Sequence, residues 1–267
     1  MSYVGPAIMR YDMAEGVTAF STMRHGGVST GRYASFNINA YCGDSPLAVA
    51  NNTAALAAAL GIDAERIVMP RQTHGTEVRI VTRELASLPR REREVTLDGV
   101  DALMTDVGGL CIGVSTADCT PILLYDEPHN AVAAIHAGWR GTVERIAQKT
   151  VRAMEAAYGT DGAMLRAVIG PCISRKNFEV GQEVYDKFLH ASFDMASIAV
   201  QVHNGRELKW HIDLPLCNLM QLEECGLRRD NVIVSDLCTF DNCDRLFSAR
   251  RLGTMSGRIY TGIMTKG

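Results

Sequence analysis

Thr116-Ala117-Asp118-Cys119-Thr120-Pro121 opens the stretch that decides this fold; Ile122–Tyr125, a polar turn over Asp126–Asn130 and Ala131–Ile135 follow, running into His136-Ala137-Gly138-Trp139-Arg140-Gly141. Two short apolar runs around a turn rich in Asp, Pro and Asn read as an antiparallel hairpin. Centred between Glu127 and Pro128, that hairpin places Cys119 directly opposite His136. Opposed residues share a face, with Cβ atoms about 5 Å apart. A thiolate and an imidazole so placed can both reach one ion through bonds of about 2.0–2.3 Å. A slip of one residue would put them on opposite faces, so the reading stands or falls with the register.

Working outward, strand-like runs cover Arg66–Met69, Glu77–Val81, Val100–Thr105, Leu110–Ser115, Leu165–Ile169 and Asn231–Val234, with Gly257–Met264 as a closing strand. Ile198–Val202 and Glu207–Ile212 flank His203-Asn204-Gly205-Arg206, whose Asn-Gly is a hairpin signal. Ser45-Pro46 caps an alanine-rich helix that runs to Leu60 and stops at Gly61. Further helices follow Gly141-Thr142 up to Gly159, cover Val180–His190, and run from Asp213 to Gly226. Ala86–Asp98, with Pro89 and a run of charges, reads as an exposed loop. Several strand pairs are joined by loops too short for a helical crossover. That predicts an α+β (mixed α/β) chain with mixed or antiparallel sheets and helices outside, not a doubly wound parallel sheet. No repeat or boundary divides it, so residues 1–267 read as a single domain.

At 267 residues, 47% apolar and 21% charged, the chain has material for a sizeable core, and a net charge of −3 gives no reason to expect nucleic acid. No apolar run reaches the length of a membrane span, and the first twenty residues, broken by Arg10, Asp12 and Glu15, do not read as an export signal. A cytoplasmic location is expected. The eight cysteines are then thiols, packing or chemistry rather than disulfides.

A third ligand is available in Gln72-Thr73-His74-Gly75-Thr76, a turn-like segment between two strands. His74, Cys119 and His136 together leave a fourth position open, the arrangement of a catalytic zinc. Gly138 and Gly141 flank Trp139 and Arg140 before a helix, a turn able to meet an anion; Arg24-His25-Gly26-Gly27-Val28-Ser29 is a second cationic loop.

These segments resemble the laccase-domain or multicopper polyphenol oxidase family, also known as YfiH-like, whose members look like zinc-dependent purine nucleoside enzymes. The matching pieces are Arg24–Ser29 with Ser35–Asn39, Gln72–Gly75, Asp101–Thr105, Thr116–Pro121, His136–Gly141, Ile169–Ile173, Glu179–Val184, Cys238-Thr239, Phe247–Arg251 and Gly257-Arg258. One departure is Ala249, where many relatives carry an aromatic residue. The resemblance implies a layered α/β/β/α fold, metal ligands at His74, Cys119 and His136, phosphorolysis of adenosine, inosine and 5′-methylthioadenosine, and deamination of adenosine. Purine nucleosides and phosphate are then the partners, and zinc is favoured over copper. Arg24 and Arg140 are candidates for the phosphate or another anion, and Asp118, beside a ligand, for carrying a proton or for supporting the ligands from behind; these roles are inferred from chemistry, not implied by the resemblance.

Three other readings stand beside this one. A copper polyphenol oxidase needs many imidazoles, and seven histidines without a His-x-His pair supply few. A metal-free hydrolase would use Cys119 as nucleophile and His136 as base. A zinc-stabilised binding module would use the metal for folding alone.

Overall fold

A computed structural model of the chain describes residues 5–205 and 207–267. In chain order the elements are β1 (Ile8–Tyr11), β2 (Val17–Thr22), α1 (Pro46–Leu60), β3 (Ile67–Val68), β4 (Val78–Ile80), α2 (Arg83–Ser87), α3 (Arg90–Thr96), β5 (Ala102–Thr105), β6 (Cys111–Thr116), β7 (Thr120–Asp126) and β8 (Ala131–Ala137). There follow α4 (Trp139–Val143), α5 (Ile146–Tyr158), β9 (Arg166–Ile169), β10 (Glu179–Val180), α6 (Gln182–His190), α7 (Met195–Ile198), β11 (Ala199–Asn204), β12 (Glu207–Ile212), α8 (Leu214–Glu224), β13 (Val232–Val234), α9 (Ala249–Leu252) and β14 (Ile259–Thr265). Two mixed sheets dominate, in the orders β1-β2-β14-β6-β3 and β13-β9-β7-β8-β5-β4, and β10-β12-β11 form a small third.

The layers follow from strand alternation, since successive side chains point to opposite faces. On β7, Leu123 and Tyr125 join Val132 and Ala134 of β8, Val114 of β6 and Ile263 of β14 between the two large sheets. Ile122 and Leu124 instead meet Ile146, Val151 and Met154 of α5, with Leu219 and Leu222 of α8 behind. On the far side, Leu56 of α1 packs with Phe20, Phe36 and Tyr260 against the five-stranded sheet. The result is the mixed α/β, α/β/β/α arrangement expected. Both β7 and β8 are buried along their whole length, which is why their sequences are nearly all apolar instead of alternating. Among the described residues no helix is long and apolar enough to cross a membrane.

The structure corrects four expectations. The hairpin is centred between Pro128 and His129, with Asp126 paired to Ala131 and Pro121 to His136. Cys119 is therefore diagonal to His136, not opposite it. The register moves by two residues, and a two-residue shift keeps every side chain on its face. Second, Ala86–Asp98 is not an exposed loop: Pro89 caps α3, Arg90 pairs with Glu94 at 2.8 Å, and Arg93 is 7% exposed. The Arg93 guanidinium reaches the Glu65 and Ala86 carbonyls at 3.0 Å and the Glu65 carboxylate at 2.9 Å, so a charge that looked solvated anchors the helix. Third, the helix after Gly141 is broken into α4 and α5 by Arg145 in the left-handed region, φ 65°. Fourth, β1 and β2 were not anticipated, because short strands with mixed residues look like loop until a sheet covers them. The β11–β12 hairpin forms as expected, with Asn204 paired to Glu207 and Gly205 (φ 66°) entering the turn; Arg206 lies outside the described residues.

Candidate metal centre

His136 prolongs the Val132–Ala134 row of β8, and Cys119, just before β7, lies on the parity of Leu123 and Tyr125. Both rows face the layer between the sheets. At the end of that layer the third group arrives from the β3–β4 connection, so His74, Cys119 and His136 offer ligand atoms within 4.8 Å of one another. The His74 and His136 rings meet edge-on with centroids 4.8 Å apart. His136 is 3% exposed, Cys119 is half-buried and His74 is exposed, so the group opens to solvent on one side only.

Asp101, fully buried at the head of β5, holds the arrangement together. Its carboxylate accepts from His136 Nδ1 at 2.7 Å and from the backbone N–H groups of Thr73, His74 and Gly75 at 3.2, 3.0 and 2.8 Å. One carboxylate thus wraps the His74 turn around itself and orients the His136 ring, leaving Nε2 free for a ligand bond. Gln72 fixes the other side of the turn: its side chain donates to the Ser115 carbonyl at 2.9 Å and accepts from the Ser115 N–H at 2.8 Å, as a strand partner would. Backbone strain gathers here, with His74 at φ 65° and Asp118 at φ 89°, a conformation that costs about 1–3 kcal/mol each.

Gly138 shows why the ligand turn needs glycine. A Cβ there would stand 3.0 Å from His74 Cδ2 and 3.2 Å from Cys119 Sγ, inside the cradle of the three ligands. Its φ of −69° and ψ of 167° suit alanine equally well, so the constraint is space alone. Gly138→Ala is expected to weaken metal affinity roughly tenfold, as loss of ligand orientation does, with little change in the melting temperature of the metal-free protein. A chelator-competition titration giving wild-type affinity would show the space is not needed.

Charge within the group is arranged for a thiolate. Burial works against ionisation of Cys119, yet the His136 charge and hydrogen bonds from His136 and His74 bring it down to about 6. Burial likewise works against a charged His136, but the Cys119 thiolate and Asp101 lift it to about 9. Asp101 is itself held below the usual carboxylate range: burial opposes this, and the His136 hydrogen bond and charge overcome it. A thiolate with two imidazoles is a donor set that zinc takes readily, and the glycine-lined cradle leaves room for it. Among the described residues this is the one gathering of three or more His, Cys or carboxylate ligands, which fits a single ion and not several coppers.

The other proposed residues are placed differently. Asp118 turns away from the ligands: its oxygens accept from Thr239 Oγ1 and the Arg250 N–H, both at 2.6 Å. Arg24 donates to the carbonyls of Ala34 at 2.8 Å and Cys243 at 2.6 Å, near the Phe247 ring. Arg140 is exposed and lies over the Trp139 ring at 4.3 Å. A cleft of about 300 Å³ opens beside the ligands, and its walls include Gln72, Ser115, Thr116, Ala249 and Arg258, but neither Arg24 nor Arg140 among the described residues. Sequence reasoning assigned no role to Asp101, Gln72 or Arg258. Asp101 carried a signal, a lone carboxylate at the head of the otherwise uncharged run Val100–Thr105.

Fold and site define the class: a layered α/β protein with one His-Cys-His centre, able to hold a metal, at the end of its inter-sheet layer. Residues 18–266 match the family described as multi-copper polyphenol oxidoreductase laccase, and the chain belongs to that family. It is 44% identical to a purine nucleoside phosphorylase of Bacteroides thetaiotaomicron over 93% of this chain and 91% of that one. It is 42% identical to adenosine deaminase RL5 of an unknown prokaryotic organism, over 94% and 95%. Among solved structures, Bacillus licheniformis hypothetical protein YfiH superposes with a TM-score of 0.90 at 29% identity, over 98% and 97% of the two chains. YlmD from Geobacillus stearothermophilus gives 0.88 at 29% identity, over 100% and 98%.

Proposed function

We propose that this chain is a zinc-dependent purine nucleoside enzyme, cleaving adenosine, inosine and 5′-methylthioadenosine with phosphate and deaminating adenosine to inosine in the cytoplasm. The observation that carries the reading is the His74–Cys119–His136 group at the wall of an open cleft, in a chain similar to proteins named for both activities. His74, Cys119 and His136 would hold the ion, which when bound supplies a Lewis acid at the reacting purine. The protein's own part is orientation and polarity. Asp101 keeps the His136 proton on Nδ1 and the His74 turn closed. Asp118, through Thr239 and Arg250, fixes the backbone that presents Cys119 and ties it to α9. That makes Asp118 a positioning residue in this reading, the second of the two roles its neighbourhood suggested.

The test is metal analysis joined to product identification. Metal-replete protein given adenosine should form inosine without phosphate, and adenine with ribose 1-phosphate when phosphate is added. Neither product from a preparation with one zinc per chain would overturn the reading, and dioxygen uptake with a phenol in proportion to bound copper would favour the oxidase instead.

One observation favours a second reading, the metal-free hydrolase: Cys119, His136 and Asp101 also line up as nucleophile, base and orienting carboxylate. With its thiol brought down to about 6, metal-free Cys119 should alkylate faster as pH rises through about 6 and level off near neutrality. An ordinary thiol would still be gaining rate above pH 8. Full nucleoside turnover in a stripped protein, abolished by alkylation, would move the assignment to this reading.

A further inference from the structure

The same cleft is lined by an arginine and a threonine that the metal group does not use. Arg258 lines it just before β14, and Thr116 lines it at the end of β6. β6 and β14 pair Thr116 with Ile259, so Arg258 stands one residue along from the partner of Thr116. Thr116 also continues the Ile112–Val114 row, the face of the five-stranded sheet turned toward the sheet that carries Cys119 and His136.

Both groups have unspent capacity. The Arg258 guanidinium is anchored by the carbonyls of Thr254, Ser256 and Gly257, which preset its position and leave part of its five-donor fork unused. Among the described residues no carboxylate forms an ion pair with it, so its charge is not neutralised. Thr116 is 1% exposed, and its hydroxyl is one of few buried side-chain oxygens with no hydrogen-bond partner among the described residues. A buried hydroxyl left unpaired is costly, and an anion in the cleft would remove that cost. By contrast, neither Arg24, held by the carbonyls of Ala34 and Cys243, nor Arg140 is among the cleft walls.

We propose that Arg258 and Thr116 form an oxyanion subsite that takes inorganic phosphate beside the metal group. The inference rests on the phosphorolysis reading above. In that reaction a phosphate oxygen forms a bond to the ribose C1′ as the bond from C1′ to the purine nitrogen breaks. The electron pair leaves with the purine, which takes up, through water, the proton that the attacking hydrogen phosphate gives up. Arg258 holds the phosphate charge through its unspent N–H groups, and Thr116 donates its hydroxyl to a phosphate oxygen.

The experiment measures binding of inorganic phosphate to metal-loaded protein by calorimetry, beside steady-state kinetics with inosine. Arg258→Gln should raise both the Kd and the KM for phosphate about 30-fold, the loss expected for charge-assisted hydrogen bonds, while the KM for inosine moves less than about threefold. Arg258→Lys, keeping the charge without the fork, should fall between. Thr116→Val, which preserves shape, should raise the phosphate Kd about fivefold and keeps the test decisive if Arg258→Gln does not fold. An unchanged phosphate Kd in folded Arg258→Gln or Thr116→Val, or no phosphate binding by wild type at millimolar concentration, overturns the subsite. Phosphorolysis with wild-type phosphate affinity in Arg258→Gln overturns the subsite and spares the functional reading. Phosphate binding that depends on Arg258, in a protein that cleaves no nucleoside, supports the subsite and overturns the reading.

Discussion

Cys119→Ala is expected to lose bound metal and nucleoside turnover together. Zinc held by a small protein site is worth about 10–16 kcal/mol over four ligands, so removing one costs roughly 3 kcal/mol, about 100-fold in affinity or more. The thiolate is also the one donor in the group that brings full negative charge, since His74 and His136 bind as neutral rings. The control is Cys217→Ala. That thiol is fully buried in α8 among Phe188, Phe193 and Ile212, so its loss should cost about 1 kcal/mol of packing and leave metal content intact. Metal analysis by mass spectrometry of both variants after identical purification decides the matter: equal zinc in wild type and Cys119→Ala would remove Cys119 from the ligand set.

Asp101→Ala should be the more damaging change to the fold itself. It strands the Nδ1–H of a buried His136 and three backbone N–H groups of the His74 turn, all of which end on this carboxylate. Breaking a buried charged network typically costs about 3–5 kcal/mol, a large share of the roughly 5–15 kcal/mol that holds a domain together. Asp101→Asn keeps the shape but turns an N–H₂ toward donors, and should lower metal affinity about 10–100-fold with a smaller thermal penalty. The pH dependence has a definite sign. The folded carboxyl titrates below its unfolded value, so its stabilisation is present in full above about pH 4 and is lost as pH falls through the lower folded value. The difference in melting temperature between wild type and Asp101→Asn should therefore hold steady near pH 5 and shrink in stronger acid; it should also shrink as pH rises above about 6.5, where the support Asp101 gives to a charged His136 begins to be lost. An Asp101→Ala protein with wild-type melting temperature and metal content would show that His136 and the His74 turn are held by something else.

How far these residues could be read in advance depends on whether the signal is local. Ser45-Pro46 and Gly61 bracket α1 because capping and left-handed backbone are local requirements, and the helix has the limits they predict. The β7–β8 hairpin is local too, yet its centre falls one residue later than expected, because a polar turn of Glu127, Pro128, His129 and Asn130 can close around more than one point. The site reading survived that error only because the shift kept side-chain parity. Arg93 was misjudged for the opposite reason. A guanidinium among charges looks solvated until distant partners, the Glu65 and Ala86 carbonyls, appear.

The sequence by itself determined most of the strands, the limits of α1, and the face shared by Cys119 and His136, since these follow from periodicity and caps within a few dozen residues. The sequence also offered His74 as the third ligand, and the structure brings it to the other two; only the tertiary structure decided that Asp101 holds both histidines and that Arg258 stands beside Thr116 in the same cleft. Those relations cross between β3–β4, β5 and β8, or between β6 and β14. No local pattern encodes a contact between segments that far apart; it exists because two sheets pack face to face and bring their strand ends together.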